Sequence, residues 1–495
     1  MKSFLACMTA FLFAIGLSAV PATADVVTDW SLISQQVTGA GVATRPTPAA
    51  AGSVRRSPEA RPGSRRDEYE ILLSSRIAVQ STIQQEQVEL ESGDAVIAWA
   101  NIAWNAISRP NEASTALSTP AVGFMQMAIT QLAVYDVASA LQGEYKPFSY
   151  DAPFEGQPNP NAAIATAAYR VLRTRIPGRA DYLDAQYASF MALIEDNHRK
   201  TDGIAFGEAV AAHYLALRAN DHINDNPVWV QPPIGPGVWV PTAPTPPVDY
   251  KMVFVPPLTL TLDEVPSYFP PPPPALTSKT YTQDFNETTA LGRRDSTVRT
   301  EEQRQLALWT GENSFRWEAR NIVRLAAAYG LNMMQAARFF AMTFTAQADT
   351  FQVGMSAKYY YVFWRPFTAI PDADIDGNPD TIADPTWAPL LNVNHPEYPA
   401  GHGFLGGAAF PLSLQAFFGT DAVNITIDTV GVAGCSTGCT SRSYTSLSAM
   451  GADIMVARIY AGLHWRDSVF NAGYNMGAAV TAHALADHFQ KRHGH

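Results

Sequence analysis

A proline-crowded tract, running from about residue 227 to 278 and closing with five consecutive prolines at 270–274, divides this chain in two. Proline has no backbone donor, and its ring excludes helix interiors and central strands, so the tract reads as an extended, polyproline-like arm. Val, Trp, Tyr and Phe recur along it, which suits an arm packed over the protein better than a free tether. On both sides the apolar spacing is helical. The pattern predicts helices within 68–107 and over 123–141, 161–174, 180–197 and 202–218 before the arm. After it come 300–309, 316–328, 332–358, 403–418 (Pro411 marking a kink), 446–460 and 467–491. Strand signals are scarce and no repeat recurs at a fixed period, so the expected fold class is all-α. The organisation is a helical part over 67–226, the arm over 227–278, and a second helical part over 279–495.

At 495 residues, with 47% apolar residues, the chain can bury a large core. Its net charge of −11 and the lack of a basic, aromatic-interleaved tract argue against nucleic acid as a partner. The amino terminus has the form of an export signal over 1–24: Lys2, a short apolar run, then Ala22-Thr23-Ala24. Residues 25–66, rich in Ala, Pro, Thr, Ser and Arg, read as a flexible lead-in. A mature chain without a membrane span, periplasmic or extracellular, is the expectation. Of the three cysteines, Cys7 lies in the signal; Cys435 and Cys439 suggest either a small disulfide loop or free thiols.

Three separated pieces carry the chemistry. Lys358 and Arg365 stand seven apart, two helical turns, and Pro366 puts Arg365 near a helix end. A point charge and a planar fork together suit a phosphate-like oxyanion. Pro399-Ala400-Gly401-His402 precedes an apolar helix, whose free N–H groups and dipole favour an anion, with His402 available for proton transfer. Arg458 supplies a third cation. Past the turn-capable Gly462, His464 can present a neutral nitrogen as ligand or nucleophile, oriented by Asp467 or a backbone carbonyl. Each piece alone also fits a surface basic pair, a plain helix cap or a stacked His-Trp pair. Their joint occurrence in one chain carries the argument.

This ordered set resembles the vanadium-dependent haloperoxidases and their relatives, the type 2 phosphatidic acid phosphatases and bacterial acid phosphatases. The motifs are K-x6-R-P, P-S-G-H and S-R-x3-G-x-H. The Phe-Trp-Arg-Pro ending, the Gly-Leu-His-Trp-Arg run and residues 299–309 look more like the haloperoxidase branch. The resemblance implies a large helical-bundle domain in which Lys358, Arg365, Arg458 and the Gly401 amide hold the oxygens of vanadate, a site phosphate can also occupy. It implies His464 as the axial nitrogen ligand to vanadium, His402 as the acid–base group, and an ion pair between Glu312 and Arg458. Hydrogen peroxide and a halide would be the small-molecule substrates, with an organic acceptor in addition.

Three residues depart from or vary within the pattern. Ala400 stands where the family has serine, deleting a hydroxyl next to the oxyanion, and Ala457 replaces the serine before Arg458. His395 lies at a position that varies between Phe and His, and His looks like the bromide-oxidising members. The competing readings are a soluble acid phosphatase, acting on phosphomonoesters through a phosphohistidine at His464, and a non-catalytic helical binding protein. Long helices and an arm are compatible with a homodimer.

Overall fold

The computed structural model describes residues 94–109, 119–242, 247–436 and 439–492. The export signal, the lead-in and the part of the first helical tract before Asp94 lie outside the described residues. Of the two compact units that divide the chain, Met1–Pro62 and Gly63–His495, only the second is described.

The unit is built on two long helices that have almost no solvent face. α2 (Pro120–Gln142) is buried from Ala121 to Ser139 save Val122, and α9 (Met333–Tyr361) from Met333 to Tyr359 save Gln335 and Arg338. A helix apolar on all sides belongs in a core. α2 is long and apolar enough to cross a membrane by length and composition, but 94% of its most apolar window is buried in the protein. Around the pair lie α1 (Asp94–Ser108), α3 (Pro160–Arg175), α4 (Ala180–Met191), α5 (His198–Leu217), α6 (Lys279–Gly292), α7 (Glu301–Trp309) and α8 (Ser314–Ala328). The C-terminal part adds the short α10 (Pro366–Ala369), α11 (Phe410–Phe418), α12 (Leu447–Tyr460) and α13 (Tyr474–Ala486).

Helix starts follow the local chemistry. Thr300 and Asn332 form capping boxes with Gln303 and Gln335, each satisfying two otherwise orphaned N–H groups. The expected 467–491 helix divides into a π-helical stretch, Ser468–Gly473, and α13. The expected kink at Pro411 takes a related form. Residues Gly403–Ala409 are π-helical, and the α register resumes at Phe410, with Pro411 in its first turn where a missing N–H costs nothing. A helix over 279–292 was not read from the sequence, nor was the antiparallel hairpin of β1 (Ala422–Asp428) and β2 (Ser441–Ser446). β1 does alternate, Val423, Ile425 and Ile427 against the exposed Asn424 and Thr426, but the run is short and its partner β2 carries a single apolar residue, Tyr444. Between the two strands in sequence, Cys435 and Cys439 are joined by a disulfide, their Cα atoms 5.6 Å apart.

The proline-rich arm lies against α9. Trp239 N–H donates to Val362 O (2.8 Å), Trp364 N–H to Gly237 O (3.0 Å) and the Tyr359 hydroxyl to Val248 O (2.5 Å). Farther on, the buried Asp349 carboxylate accepts from the N–H groups of Leu258 and Thr259 and from the Thr259 hydroxyl. Trp239, Met252 and Val255 are fully buried beneath this strapping.

Candidate oxyanion site

Lys358 lies in the last turn of α9, but Arg365 is not on the same helix face. Val362 takes a left-handed conformation (φ 48°) and ends α9, and Arg365 is an extended residue capping α10, with Pro366 in the first helical position. A left-handed β-branched residue costs about 1–2 kcal/mol. The surrounding packing holds it there, and the turn it makes folds Arg365 back beside Lys358. The two cations converge through a chain reversal rather than through helical periodicity.

Both are completely buried and lean on one segment, residues 395–397. The Lys358 ammonium donates to Pro396 O (3.1 Å) and Glu397 O (2.8 Å). Arg365 Nε donates to His395 O (2.6 Å), Nη1 to Leu463 O (2.8 Å) and Nη2 to Pro396 O (3.2 Å), and Nη2 lies 2.9 Å from His395 Nδ1. His395 Nδ1 also lies 3.0 Å from Pro396 O, so the tautomer decides whether it accepts from Arg365 or donates to that carbonyl.

Arg458, in the last turn of α12, has far less company. Its Nη1 reaches Thr310 O and Oγ1 at 3.4 and 3.5 Å, and its buried Nε has no partner. Gly462 then turns the chain with φ 73°, so close to α6 that a Cβ would run into Gly292 O. That turn delivers His464, 2% exposed, to the cavity. Gly462→Ala is expected to destabilise the protein by more than about 1 kcal/mol, from the left-handed backbone alone, and to weaken anion binding. Denaturant unfolding and vanadate titration would check both.

His464 is oriented by a residue the sequence reading missed. Its Nδ1 lies 2.7 Å from Glu397 Oε1, which also accepts the Trp465 N–H (3.1 Å). Facing a carboxylate, Nδ1 carries the proton, and Nε2 is left with its lone pair 3.5 Å from Arg365 Nη1. Asp467 does not take this role. Its N–H donates to Asp284 and its carboxylate accepts from Asn471, away from the ring. The expected Glu312–Arg458 pair is also replaced. Glu312 bonds Arg320 through both oxygens (3.3 and 3.2 Å) and accepts the Val430 N–H (2.8 Å). The β-hairpin causes this: it brings Asp428 O and Val430 N to α8 and closes a local network around Glu312.

Lys358, His395, Gly401, His402, Arg458 and His464 line one cavity of about 260 Å³, with Thr310, Glu312 and Asp249 on its other walls. Arg365 stands directly behind His395 and His464. His402, just ahead of the π-helical turn, has a buried Nε2 without a partner.

Burial and mutual repulsion among the cations push every base here down. Lys358 falls well below the ordinary lysine value, Arg365 falls to about 10 and Arg458 to about 9. His464, His402 and His395 are held well below 6.5, chiefly by burial and then by the neighbouring cations, so all three are neutral at pH 7. Burial lifts Glu397 to about 7 against the pull of Lys358 and Arg365.

A buried, cation-rich cavity with an orphaned guanidinium donor, lined by three neutral imidazoles inside a helical bundle, defines an oxyanion-binding site of helical type. Residues 338–494 match the family model of the VCPO second helical-bundle domain. A 100-residue stretch is 34% identical to the vanadium chloroperoxidase of Curvularia inaequalis, spanning 18% of this chain and only 16% of that protein. The fold matches a bacterial vanadium-dependent iodoperoxidase with a TM-score of 0.67 (19% identity, 83% of this chain, all of that one). It matches a bacterial vanadium-dependent chloroperoxidase with a TM-score of 0.60 (16% identity, 82% of this chain, 98% of that one). Residues 338–494 thus resemble the second helical-bundle domain of that family, and the fold resembles those of bacterial vanadium-dependent haloperoxidases.

Proposed function

We propose that this protein is an exported, vanadate-dependent haloperoxidase that oxidises halide with hydrogen peroxide. The observation that carries the reading is the Glu397–His464 pair behind three buried cations. It leaves one basic nitrogen, Nε2, beside the cations where a tetrahedral oxyanion would sit, while Glu397 Oε1 is taken up by His464 Nδ1 and the Trp465 N–H. The cavity fits vanadate: the unpartnered Arg458 Nε is a donor such a group would satisfy, and the unpartnered His402 Nε2 belongs to a ring that lines the same cavity. Lys358, Arg365, Arg458 and the Gly401 amide would hold its oxygens and His464 Nε2 its metal. Bound there, vanadate supplies a Lewis-acidic centre that activates peroxide for oxygen transfer to halide. His402, neutral and unpartnered at Nε2, takes or returns the proton this chemistry moves. Ala400, fully buried, offers no hydroxyl, which weakens the hold on the oxyanion by about 1.5–3 kcal/mol relative to a serine there. His395 on the cavity wall supports bromide over chloride as substrate. The Cys435–Cys439 disulfide is in keeping with an oxidising compartment outside the cytoplasm.

The same neutral, carboxylate-backed His464 is also what a phosphohistidine nucleophile requires, and this keeps a phosphomonoesterase as the second reading. The test is direct. Protein purified without phosphate and loaded with orthovanadate should brominate a phenolic dye only when peroxide and bromide are both present. His402→Ala should lower that rate by about 10²–10⁴-fold while vanadate binding is largely retained. Peroxide-independent release of nitrophenol from its phosphate, without bromination, would replace the first reading by the second.

A further inference from the structure

A second hollow, larger than the anion cavity, lies among the described residues. It is an open groove of about 980 Å³ between the proline-rich arm and the last two turns of α9, at the upper end of the size range of small-molecule sites. Its inner wall is an aromatic cluster. Trp229, Tyr250 and Tyr359 meet edge to face, with ring centroids 5.0–5.3 Å apart. The Trp229 N–H already donates to Gln231 and the Tyr359 hydroxyl to Val248 O, so these residues offer ring surface rather than polar groups. The rim is apolar and exposed: Phe254 is 42% and Tyr360 70% open to solvent.

The opposite wall is polar. Tyrosines aside, the ionisable groups lining the groove are His222 and Asp225, which bond each other at 2.8 Å. The groove lining holds no lysine or arginine for an anionic guest, and its one carboxylate is already engaged, which suits a neutral guest with an edge hydroxyl. Ring faces with quadrupoles suit a flat aromatic guest.

The groove and the anion cavity share their partition. Met355 and Lys358 face the cavity, while Ser356, Tyr359 and Tyr360 face the groove. On the arm, Asp249 lines the cavity and the adjacent Tyr250 lines the groove. The two spaces therefore lie about one helix diameter apart, ~10 Å.

We propose that this groove binds the organic acceptor, a neutral, electron-rich aromatic molecule such as a phenol, beside the centre that makes the halogenating agent. The proposal rests on the halide-oxidising reading. Hypohalous acid leaving the cavity would meet a ring held at high local concentration. The O–X bond breaks, a ring carbon forms the C–X bond, and the displaced ring proton joins hydroxide to leave as water.

The probe is 2-naphthol, with full-length protein. Binding is measured first without vanadate, by quenching of tryptophan emission and by calorimetry. The double variant Phe254→Ala/Tyr360→Ala alters exposed side chains only. Saturable binding to the wild type, weakened about 10-fold or more in the variant, is the expected result. With vanadate, bromide and peroxide, the variant's KM for 2-naphthol should rise similarly, while bromide-dependent peroxide consumption without acceptor stays unchanged. Equal affinity in both proteins, or no saturable binding, overturns the groove as acceptor site. Saturable, variant-sensitive binding by a wild type that consumes no peroxide with bromide would leave the groove as an aromatic site but sink its role as acceptor site along with the haloperoxidase reading.

Discussion

Arg458→Met should make the vanadate-free protein more stable and at the same time unable to hold vanadate. The guanidinium is buried, its Nε has no partner, and its hydrogen-bond partners among the described residues are the distant Thr310 oxygens. Arg365, another cation, is close enough to depress it further, to about 9. Keeping a charge there costs free energy that its bonds do not repay, and a linear apolar side chain of similar length removes that cost. A gain on the order of 1–4 kcal/mol is expected from comparable replacements of buried charges. For a 495-residue chain the unfolding entropy is roughly 1 kcal/mol per kelvin, so the melting temperature should rise by about 1–4 °C. Vanadate should reverse the order. At about 100 times its dissociation constant it stabilises the wild type by about 2.7 kcal/mol, roughly 3 °C, and the variant not at all. Paired thermal scans with and without orthovanadate read both signs. A variant less stable than wild type in the absence of vanadate would contradict the claim that the site holds uncompensated charge for its guest.

That uncompensated charge explains why so much of the site could be read in the sequence. Lys358, Arg365, His402, Arg458 and His464 are expensive residues to bury, and their types and spacings survive as a pattern because few other arrangements hold an oxyanion. Helix positions were legible for a similar reason: capping boxes at Thr300 and Asn332 and long apolar stretches in α2 and α9 are local features. What stayed hidden depended on contacts between distant segments. Glu312 was drawn to Arg320 by a hairpin whose second strand carries one apolar residue, Tyr444. Asp467 points away from His464 because the chain beyond it winds into a π-helical turn. Glu397 sits five residues before His402, in a proline-rich loop, and nothing in its local sequence announces a partner 67 residues away. The Lys358–Arg365 pair is instructive in another way. Its convergence was foreseen from helical spacing but is achieved by the Val362 reversal.

Glu397→Gln tests that hidden residue, and its effects on binding and on stability should differ in kind. The carboxylate fixes the Nδ1–H tautomer of His464 and, among the described residues, is the acidic group bonded to that ring. A glutamine can turn its amide toward Nδ1, and the ring then no longer has one enforced proton position. Losing such an orienting carboxylate lowers metal affinity by about 10–100-fold, so vanadate should bind that much more weakly, as read by calorimetry at pH 8. Stability responds through linkage. Burial raises the Glu397 value from 4.5 to about 7 in the folded protein, so the folded state holds this proton more tightly than the unfolded chain. The resulting stabilisation is full below about pH 4.5 and is lost as pH rises through about 7. The shift corresponds to roughly 3 kcal/mol across that window, and the glutamine variant, which cannot ionise, escapes the loss. Relative to wild type, vanadate-free Glu397→Gln should therefore gain stability between pH 4.5 and 7, while His464, depressed instead of raised, acts with the opposite sign in both proteins. Urea unfolding at pH 5 and pH 7.5 measures the difference. If the two proteins keep a constant gap across those pH values and bind vanadate equally well, Glu397 is not the group that sets the proton on His464.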